Sequence, residues 1–474
     1  METMRDGGEM HHVFEKAISN LRAIVGESNV ILNPEGYLYD ETPEAVRPEI
    51  CRDTVVVRPE NTHQISEVMR LANSLRIPVF VRGGGTGLSG GALPTKPGII
   101  LSMERMNRII EIDQENLVAV CEAGVTLRQL IEAVEKIPGM SFPPHPGDES
   151  AQLGGLVACN AGGARAVKYG VMRNYVIGLE IVLPSGDILS LGGKIIKNTA
   201  GYDLLHLIVG SEGTLCVITK VILRLIPEPG KTYTLVIPFH DAWSAIRCVP
   251  EILKSGIVPM AIEYMDIEAI KAGERVTGKK WPFSGGSAHL MVIVDGRNED
   301  ELMEKSEIIE KISEKYGALD VLVGVSRREQ RDILEIRSLI YEGLKNETIE
   351  VLDVSVPPAS IAEFVEKCQK KADELDLKVL HFGHAGDGNV HQQIMKSGLR
   401  KEEWMKRYVE FKEFAFSVAD ELGGTITGEH GIGSVKKRDL VKTSPDVLIE
   451  IMRKIKKVFD PNNILNPGKV VDDE

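Results

Sequence analysis

The stretch Arg82-Gly-Gly-Gly-Thr-Gly-Leu-Ser-Gly-Gly91 decides the fold of this chain. It follows an apolar segment that predicts a strand over Ile77–Arg82, and positions 85–90 fit the GxGxxG expression. A nicotinamide-binding turn should open a helix, whereas Pro94 and Pro97 follow at once, which argues against a Rossmann turn. Glycines let backbone N–H groups converge on an anion. The stretch therefore predicts an anion-binding loop, although taken alone it also fits a glycine loop without a ligand.

Two further glycine-rich stretches follow in the chain. Pro143-Pro-His-Pro-Gly147 leads into small residues that end at Gly163, and Gly210-Ser-Glu-Gly213 comes after Lys197-Asn-Thr-Ala-Gly-Tyr-Asp203. Three separated glycine motifs in this order resemble the FAD-binding domain of the vanillyl-alcohol oxidase (p-cresol methylhydroxylase, PCMH) superfamily, over about residues 48–229. The resemblance implies that the first loop binds the FAD pyrophosphate.

The FAD-contacting residues that this resemblance implies are Arg82, Gly83, Gly84, Gly85, Thr86, Gly87, Leu88, Ser89, Gly90, Gly91, Pro144, Gly147, Ser150, Gly154, Gly155, Asn160, Gly163, Gly170, Glu212, Gly213 and Ile218. Family members that hold FAD covalently use a histidine inside the first loop. This loop contains no histidine, so we expect noncovalent FAD.

Apolar spacing predicts helices over Thr62–Leu75 and from Thr126, and the Pro227-Glu-Pro229 pair suggests a domain boundary. Beyond it, four short apolar segments alternate with helical ones as two successive β-α-β units. The predicted fold class is α+β, with a PCMH-type FAD-binding domain of two α+β subdomains, a ferredoxin-like substrate (cap) domain and a C-terminal helical segment. The expected limits are 1–229, 230–425 and 426–474, with the last segment packing back on the first domain.

The stretch His381-Phe-Gly-His384-Ala-Gly-Asp387-Gly388-Asn-Val-His391 predicts a metal-binding hairpin. Asp-Gly favours a two-residue type I′ turn, which would place His384 directly opposite His391. Cross-strand partners have Cβ atoms about 4.5–5.5 Å apart, a spacing that suits two imidazoles on one ion. Gly428-Glu429-His430-Gly431 offers a third ligand, and two histidines with one glutamate leave an open coordination position.

The half of the chain over about residues 231–470 resembles the FAD-linked oxidase C-terminal family. Its members include D-lactate dehydrogenases, the catalytic subunit of bacterial glycolate oxidase and D-2-hydroxyglutarate dehydrogenases. By this resemblance His384, His391 and Glu429 bind a divalent metal, with Zn²⁺ the expected ion, and His430 is the catalytic base. The closing Asn-Ile-Leu-Asn466-Pro-Gly-Lys469 also matches and places Asn466 near the flavin.

An α-hydroxy carboxylate needs a cation for its carboxylate, and Arg337 stands at the family's position for this role. Tyr341 and Asn389 are the other expected substrate-binding residues. Relatives that accept D-2-hydroxyglutarate carry a lysine just before the Asp353-Val-Ser-Val-Pro357 stretch, whereas Val351 and Leu352 stand here, which favours a small monocarboxylate. D-lactate or glycolate is therefore the expected substrate. A D-2-hydroxyglutarate dehydrogenase, a flavin transferase resembling alkyl-dihydroxyacetonephosphate synthase, and a FAD subunit that only relays electrons remain the alternatives.

The net charge of −13 comes from 69 acidic and 56 basic residues that are interspersed, which argues against a nucleic-acid partner. The six cysteines form no CxxC pair, so we expect neither disulfides nor an iron–sulfur cluster. The segment Met1–His12 lacks the apolar core of a signal peptide, and a reducing, cytoplasmic location is predicted. Electrons would leave to an electron-transferring flavoprotein, an iron–sulfur subunit, a cytochrome or a quinone. The interpretation leaves room for membrane docking through a partner and for a homodimer.

Overall fold

The computed structural model describes residues 17–396, 398 and 400–471, so the segment Met1–His12 lies outside the described residues. Helices and strands are both abundant, and the predicted α+β class is confirmed. Helix α2 covers Thr62–Leu75 as predicted, because Asn61 caps its first turn and Ile65, Val68 and Met69 form its buried face.

The first sheet has four strands in the order β1-β2-β4-β3, of which β2, β4 and β3 run parallel. Helix α1 covers 17–25, and α2 packs with it against the core of this lobe. The strands are β1 (Val30–Ile31), β2 (Thr54–Val57), β3 (Val79–Arg82) and β4 (Gly98–Ser102). Because β3 ends at Arg82, the glycine-rich loop leaves from the carboxyl end of a parallel strand.

The second sheet is antiparallel, with the order β5-β6-β10-β8-β9, and β7 pairs separately with β11. Its members, with the intervening helices, are β5 (Ile109–Asp113), β6 (Val118–Glu122), α3 (Leu127–Glu135), β7 (Met140–Ser141), α4 (Leu153–Cys159), α5 (Ala166–Tyr169), β8 (Val176–Val182), β9 (Ile188–Gly192), α6 (Leu204–Ile208), β10 (Val217–Arg224) and β11 (Ile226–Pro227). The capping box of Thr126 and Gln129 begins α3 as predicted. Together the two sheets form the lobe that carries the three glycine motifs.

The third sheet has seven strands in the order β15-β12-β14-β13-β17-β18-β16, all paired antiparallel. Its elements are β12 (Lys231–Phe239), α7 (Ala242–Lys254), β13 (Ala261–Asp266), α8 (Ile267–Thr277), β14 (Ala288–Gly296), α9 (Glu299–Lys315), β15 (Leu322–Gly324), α10 (Arg327–Ser338), α11 (Ile340–Leu344), β16 (Thr348–Ser355), α12 (Ile361–Glu374), β17 (Val379–His384), β18 (Asn389–Met395) and α13 (Lys401–Glu421). The neighbouring strands β15-β12-β14-β13 have the spatial order of a ferredoxin-like sheet. The strands β17, β18 and β16 extend this sheet at the β13 edge.

Helices cover both faces of this sheet, which explains why its strands are buried on both sides. Along β14, Leu290 and Val292 join a core with α7, α9, α12 and α13, whereas Met291 and Ile293 join a second core with α8, α10 and α11. A polar side chain in such a strand is therefore removed from water and needs a partner.

The C-terminal helices are α14 (Lys437–Thr443) and α15 (Asp446–Phe459). After α15 the chain runs beside β3, where Leu465 bridges Val79 and the Asn466 N–H donates to the Val79 carbonyl (2.8 Å). The predicted domain limits stay predictions. Among the described helices, none combines the length and apolar character that a membrane span requires.

Candidate active site

The hairpin of β17 and β18 has a different register from the predicted one. Phe382, not His384, lies opposite His391, and His381 lies opposite Gln392 rather than Ile394. The connection is the four-residue loop 385–388, because the Gly386 N–H donates to Ile262 on the neighbouring β13 (3.1 Å) instead of closing a two-residue turn. The predicted direct pairing of His384 with His391 is therefore wrong. Both side chains still share one face, as diagonal neighbours.

The three predicted metal ligands nonetheless converge. Nε2 of His384 lies 3.2 Å from Oε1 of Glu429, and Nε2 of His391 lies 3.4 Å from the same oxygen. The two imidazoles are nearly perpendicular, with ring centroids 5.4 Å apart. Burial opposes their charge, yet Glu263 and Glu429 hold the pKa of His384 well above its ordinary value. The donor set, two imidazole nitrogens and a carboxylate, fits a divalent ion such as Zn²⁺.

Glu263 orients the first of these ligands. This carboxylate is fully buried on β13, and its Oε1 lies 2.7 Å from Nδ1 of His384, which leaves Nε2 facing Glu429. A carboxylate on the far nitrogen of a metal-binding histidine fixes the ring and its tautomer. His384 and Arg337 hold the pKa of Glu263 below its ordinary value although burial acts in the opposite direction.

Arg337 shares that carboxylate. Its Nε and Nη2 lie 2.7 and 2.6 Å from Oε2 of Glu263, and its guanidinium lies over the Phe382 ring, 5.5 Å from the centroid. The ion pair with Glu263 uses the Nε and Nη2 edge of the guanidinium, and Nη1 takes no part in it. Arg337 on α10 and His384 on β17 therefore contact the same carboxylate, one on each oxygen of Glu263.

Tyr341 lies one helical turn beyond Arg337, on the neighbouring α11. Its hydroxyl donates to the Glu41 carbonyl in the first lobe (2.9 Å), and this contact joins the two parts of the chain. The hydroxyl oxygen keeps its lone pairs for a further donor.

Asn389 lies below the histidines at the start of β18. Its Nδ2 donates to Oδ1 of Asp353 (2.8 Å) and to the Val354 carbonyl (3.2 Å), whereas its buried Oδ1 has no partner among the described residues. An unpaired buried acceptor is costly and suggests a missing donor, such as a ligand hydroxyl or a water.

His430 stacks face to face on His391, with centroids 5.1 Å apart and ring planes 3° from parallel. Its Nε2 lies 4.0 Å from Oε1 of Glu429, on the side of the ligand atoms. Burial lowers the pKa of His430 to about 4 although Asp353 raises it, so the imidazole is neutral near pH 7. A neutral imidazole beside a substrate hydroxyl can act as a general base.

Asp353 lies at the centre of the cluster, with ligand atoms of His391, Glu429 and His430 all within 4.8 Å of one another and of its own. Its Oδ2, however, already accepts four hydrogen bonds, from the Thr427 hydroxyl and from three backbone N–H groups of the 428–430 segment. With its lone pairs used in this way, Asp353 supports the ligands rather than joining them.

The glycine-rich loop of the first lobe contacts this site directly. The Ser89 hydroxyl donates to the carbonyls of His430 (3.2 Å) and Gly431 (3.1 Å), and the Ser434 N–H donates back to the Ser89 carbonyl (2.9 Å). A Cβ on Gly162 would lie 2.8 Å from Oε2 of Glu429. Two of the three glycine motifs thus border the histidine and glutamate cluster.

Arg82, expected to contact FAD, ends β3 and lies at the start of the glycine-rich loop. Its side chain is buried beneath the loop, where Nη1 donates to the Tyr39 carbonyl (2.6 Å) and the guanidinium covers the Tyr39 ring. A Cβ on Gly85 would collide with this guanidinium. Arg82 supports the loop from below.

Several expected FAD-contacting positions border open space. A methyl group built on any of four of these glycines would meet no described heavy atom within 4 Å; they are Gly87, Gly91, Gly147 and Gly155. By contrast Gly154 packs against Ala123, Asn160 accepts from the Arg173 N–H (2.9 Å), and Ile218 is buried in β10. Bare backbone facing a cleft, backed by packed neighbours, fits a cofactor that needs close backbone approach.

The third motif meets the C-terminal segment through Asn466. The Asn466 amide donates to the carbonyls of Glu212 and Gly213 (both 3.1 Å) and accepts from the Val81 N–H (3.1 Å). Glu212, which is also expected to contact FAD, directs its carboxylate at the N–H groups of Ile432 and Gly433.

Sequence reasoning missed the contacts of three carboxylates, the buried Glu263 and Asp353 and the half-buried Glu212. A usable signal exists for the first two. Each is an acidic residue inside an apolar strand, Ala261–Asp266 and Thr348–Ser355, where charged residues are almost never buried without a partner.

Comparison with known proteins agrees with this site. The family described as FAD linked oxidases, C-terminal domain, matches residues 228–470, and the FAD binding domain matches residues 54–192. The chain is 49% identical over 437 residues to D-lactate dehydrogenase of Archaeoglobus fulgidus, covering 92% of this chain and 96% of that protein. It is 38% identical to glycolate oxidase subunit GlcD of Bacillus subtilis, covering 92% and 91%.

This chain belongs to the FAD-linked oxidase family, and it is an enzyme with an FAD-binding domain. The crystal structure of p-cresol methylhydroxylase with substrate bound has the same fold, with a TM-score of 0.78 at 19% identity over 98% of this chain and 97% of that one. The resemblance drawn from the glycine motifs is confirmed.

Proposed function

We propose that this enzyme oxidises a small D-2-hydroxy acid, D-lactate or glycolate, to the 2-oxo acid, using noncovalent FAD and a divalent metal ion. The observation that carries the proposal is the single cluster formed by His384, His391 and Glu429 beside His430, with Arg337 joined to it through Glu263. The names of the two relatives described above support the same substrate class.

The roles follow from the geometry. Arg337 offers Nη1 to the substrate carboxylate, and Asn389 offers its unpaired Oδ1 to a substrate donor. His430 takes the hydroxyl proton on Nε2, the nitrogen on the side of Glu429. His384, His391 and Glu429 would hold the metal. When bound, the ion supplies Lewis-acid polarisation of the hydroxyl oxygen and FAD supplies the two-electron acceptor for the hydrogen on C2.

The reduced cofactor must then be reoxidised by a partner. The proposal includes an electron-transferring flavoprotein, an iron–sulfur subunit, a cytochrome or a quinone as acceptor. Screening these four classes with substrate-reduced enzyme, and comparing the rates of flavin reoxidation, identifies the class.

The test is anaerobic addition of D-lactate, L-lactate, glycolate and D-2-hydroxyglutarate to the purified holoenzyme, with the flavin absorbance as readout. We expect bleaching by D-lactate or glycolate, and slower bleaching by D-2-hydroxyglutarate because Val351 and Leu352 offer no charge to a second carboxylate. Elemental analysis should first confirm one metal ion per chain. If none of the four acids then bleaches the flavin, the proposal is wrong.

Removal of the metal gives a second test. Dialysis against a chelator should abolish bleaching while FAD stays bound, because the histidine cluster and the glycine loop are separate groups of residues. Readdition of Zn²⁺ or Mn²⁺ should restore it. Full bleaching by the metal-free enzyme would contradict the metal's role and leave the hydroxy-acid activity standing.

A further inference from the structure

Two carboxylates, the buried Asp353 and the half-buried Glu212, hold the loop that carries Glu429 and His430. Oδ2 of Asp353 accepts the N–H groups of Gly428 (3.0 Å), Glu429 (2.9 Å) and His430 (2.7 Å). The two oxygens of Glu212 accept the next pair, from Ile432 (2.8 Å) and Gly433 (2.7 Å). We propose that Asp353 and Glu212 act as a two-sided clamp that positions this loop, 428–433, for metal binding and proton transfer. The catalytic part of the inference rests on the proposed function.

Asp353 is the fixed side of the clamp. It is fully buried on β16, where the backbone register places it opposite His391. Asn389 holds its Oδ1, and the Thr427 hydroxyl donates to Oδ2 (2.9 Å). Several N–H groups converging on one carboxylate form a charge-assisted anion site, which is stronger than neutral hydrogen bonds.

Glu212 is the side of the clamp that belongs to the first lobe. It adopts a positive φ of 52° inside the third glycine motif, a conformation that costs energy for a residue with a side chain. Its carboxylate accepts a hydrogen bond from the loop residue Ile432, which lies 220 residues further along the sequence. The motif that borders the expected FAD site and the loop that carries the base are thereby joined by one side chain.

The loop needs such a clamp because its own residues cannot fix it. Gly431 (φ 76°) and Gly433 (φ 51°) flank Ile432 and have no side chains to pack. Lys436, buried behind the loop, donates to the Thr427 hydroxyl (3.2 Å) and places a positive charge near Asp353. The carbonyls of His430 and Gly431 accept from Ser89, whereas the two carboxylates accept from the N–H groups of the loop, and in this way they help to set where the Glu429 carboxylate and the His430 ring lie.

Hydrogen exchange of the holoenzyme tests the clamp directly. In D353N the amides of 429 and 430 should exchange at least ten-fold faster, and that of 428, which also donates to the Asp353 backbone carbonyl, should be accelerated less. In E212Q the amides of 432–433 should exchange faster, because in both variants an amide NH₂ replaces an acceptor at one end of the side chain. The matched control is E350Q, a buried carboxylate on the same β16 that contacts Tyr408 instead of the loop. Unchanged exchange in D353N and E212Q, or equal acceleration in E350Q, would overturn the proposal.

Zn²⁺ titration of the chelated protein and bound-FAD content separate positioning from general damage. D353N should bind Zn²⁺ at least ten-fold more weakly and lower kcat more than it raises KM, with FAD content and Tm close to those of E350Q. Loss of FAD from D353N to the same extent as Zn²⁺ affinity would instead indicate unfolding and overturn it. If D353N does not fold, Thr427→Val removes one support of Asp353 without a charge change and should loosen the same three amides.

If the proposed function is wrong, the experiments give a different result. If no hydroxy acid bleaches wild-type flavin, the substrate proposal is lost, while the exchange pattern of the 428–433 amides still decides whether the two carboxylates clamp the loop.

Discussion

At the scale of single residues, the site depends on carboxylates that no substrate would touch. Glu263 accepts from Arg337 with one oxygen and orients His384 with the other, so one buried charge sets the distance between the expected substrate-binding cation and a metal ligand. Breaking such a pair from one side leaves an uncompensated buried charge, which costs about 3–5 kcal/mol. The neighbours of catalytic residues are therefore as sensitive to substitution as the residues themselves.

Arg337→Lys tests the substrate-binding role. A lysine has one nitrogen and cannot pair with Glu263 and a substrate carboxylate through separate edges, and a charge-assisted hydrogen bond contributes about 1.5–3 kcal/mol. We expect KM for the hydroxy acid to rise about 10- to 100-fold, with a smaller fall in kcat. Steady-state kinetics with an artificial acceptor measures both. Arg331→Lys, an exposed change on the same α10, is the control, and an equal KM for the two variants would contradict the role.

Lys469→Met tests a buried lysine under the glycine loop. The Lys469 ammonium donates to the Gly91 carbonyl and is 1% exposed, and burial lowers its pKa from 10.5 to about 7 although Asp40 and Glu212 raise it. Between these values the unfolded chain binds more protons, so this group makes the free energy of unfolding rise with pH from about 7 to 10.

Urea denaturation of the apoprotein at four pH values across that window gives the slope. The wild type should gain stability relative to Lys469→Met as the pH rises, whereas the exposed Lys311→Met should follow the wild type. If the free energy of unfolding changed with pH in the same way for wild type and Lys469→Met, the lysine would be charged in the folded protein.

At the scale of elements, local signals predicted helices better than strand registers. The limits of α2 agree with the sequence because Asn61 caps it and apolar residues repeat at helical spacing. The hairpin was predicted from Asp387-Gly388 alone, and contacts with β13 and β16, which no local pattern contains, lengthened its loop. Residue type was enough to predict that His384, His391 and Glu429 come together, whereas Asp353 and Glu212 contact backbone groups distant in sequence, which no spacing rule indicates.

Gly388→Ala tests the hairpin loop. Gly388 has a φ of 96°, and a Cβ there would collide with the Val356 carbonyl. Positive φ costs about 1–2 kcal/mol and overpacking about 1–3 more, so we expect a loss of roughly 2–5 kcal/mol in unfolding free energy. Gly423→Ala has the same sign of φ (74°) but open space around it, and should lose only about 1–2 kcal/mol. Chemical denaturation compares them, and equal losses would rule out the collision.

At the scale of the whole molecule, the site lies where three segments distant in sequence meet. The first lobe contributes the glycine loop and Glu212, the seven-stranded sheet contributes the histidines and Asp353, and the loop 428–433 runs between them. Lys168 and Asp295 pair across the same two parts (2.5 Å). The loop 428–433 therefore joins the first lobe to the seven-stranded sheet, alongside direct contacts between the two parts.

The double variant D353N/E212Q measures that coupling. If both carboxylates restrain one loop, releasing either end already frees it, and the second substitution costs less than it does alone. We expect the fold-loss in kcat/KM of the double variant to be at least ten-fold smaller than the product of the single losses. D353N/R331K, which joins the clamp to an exposed arginine, should be multiplicative within about two-fold. Multiplicative losses in D353N/E212Q as well would mean that the two carboxylates act independently, and that the lobes contribute to catalysis without a shared restraint.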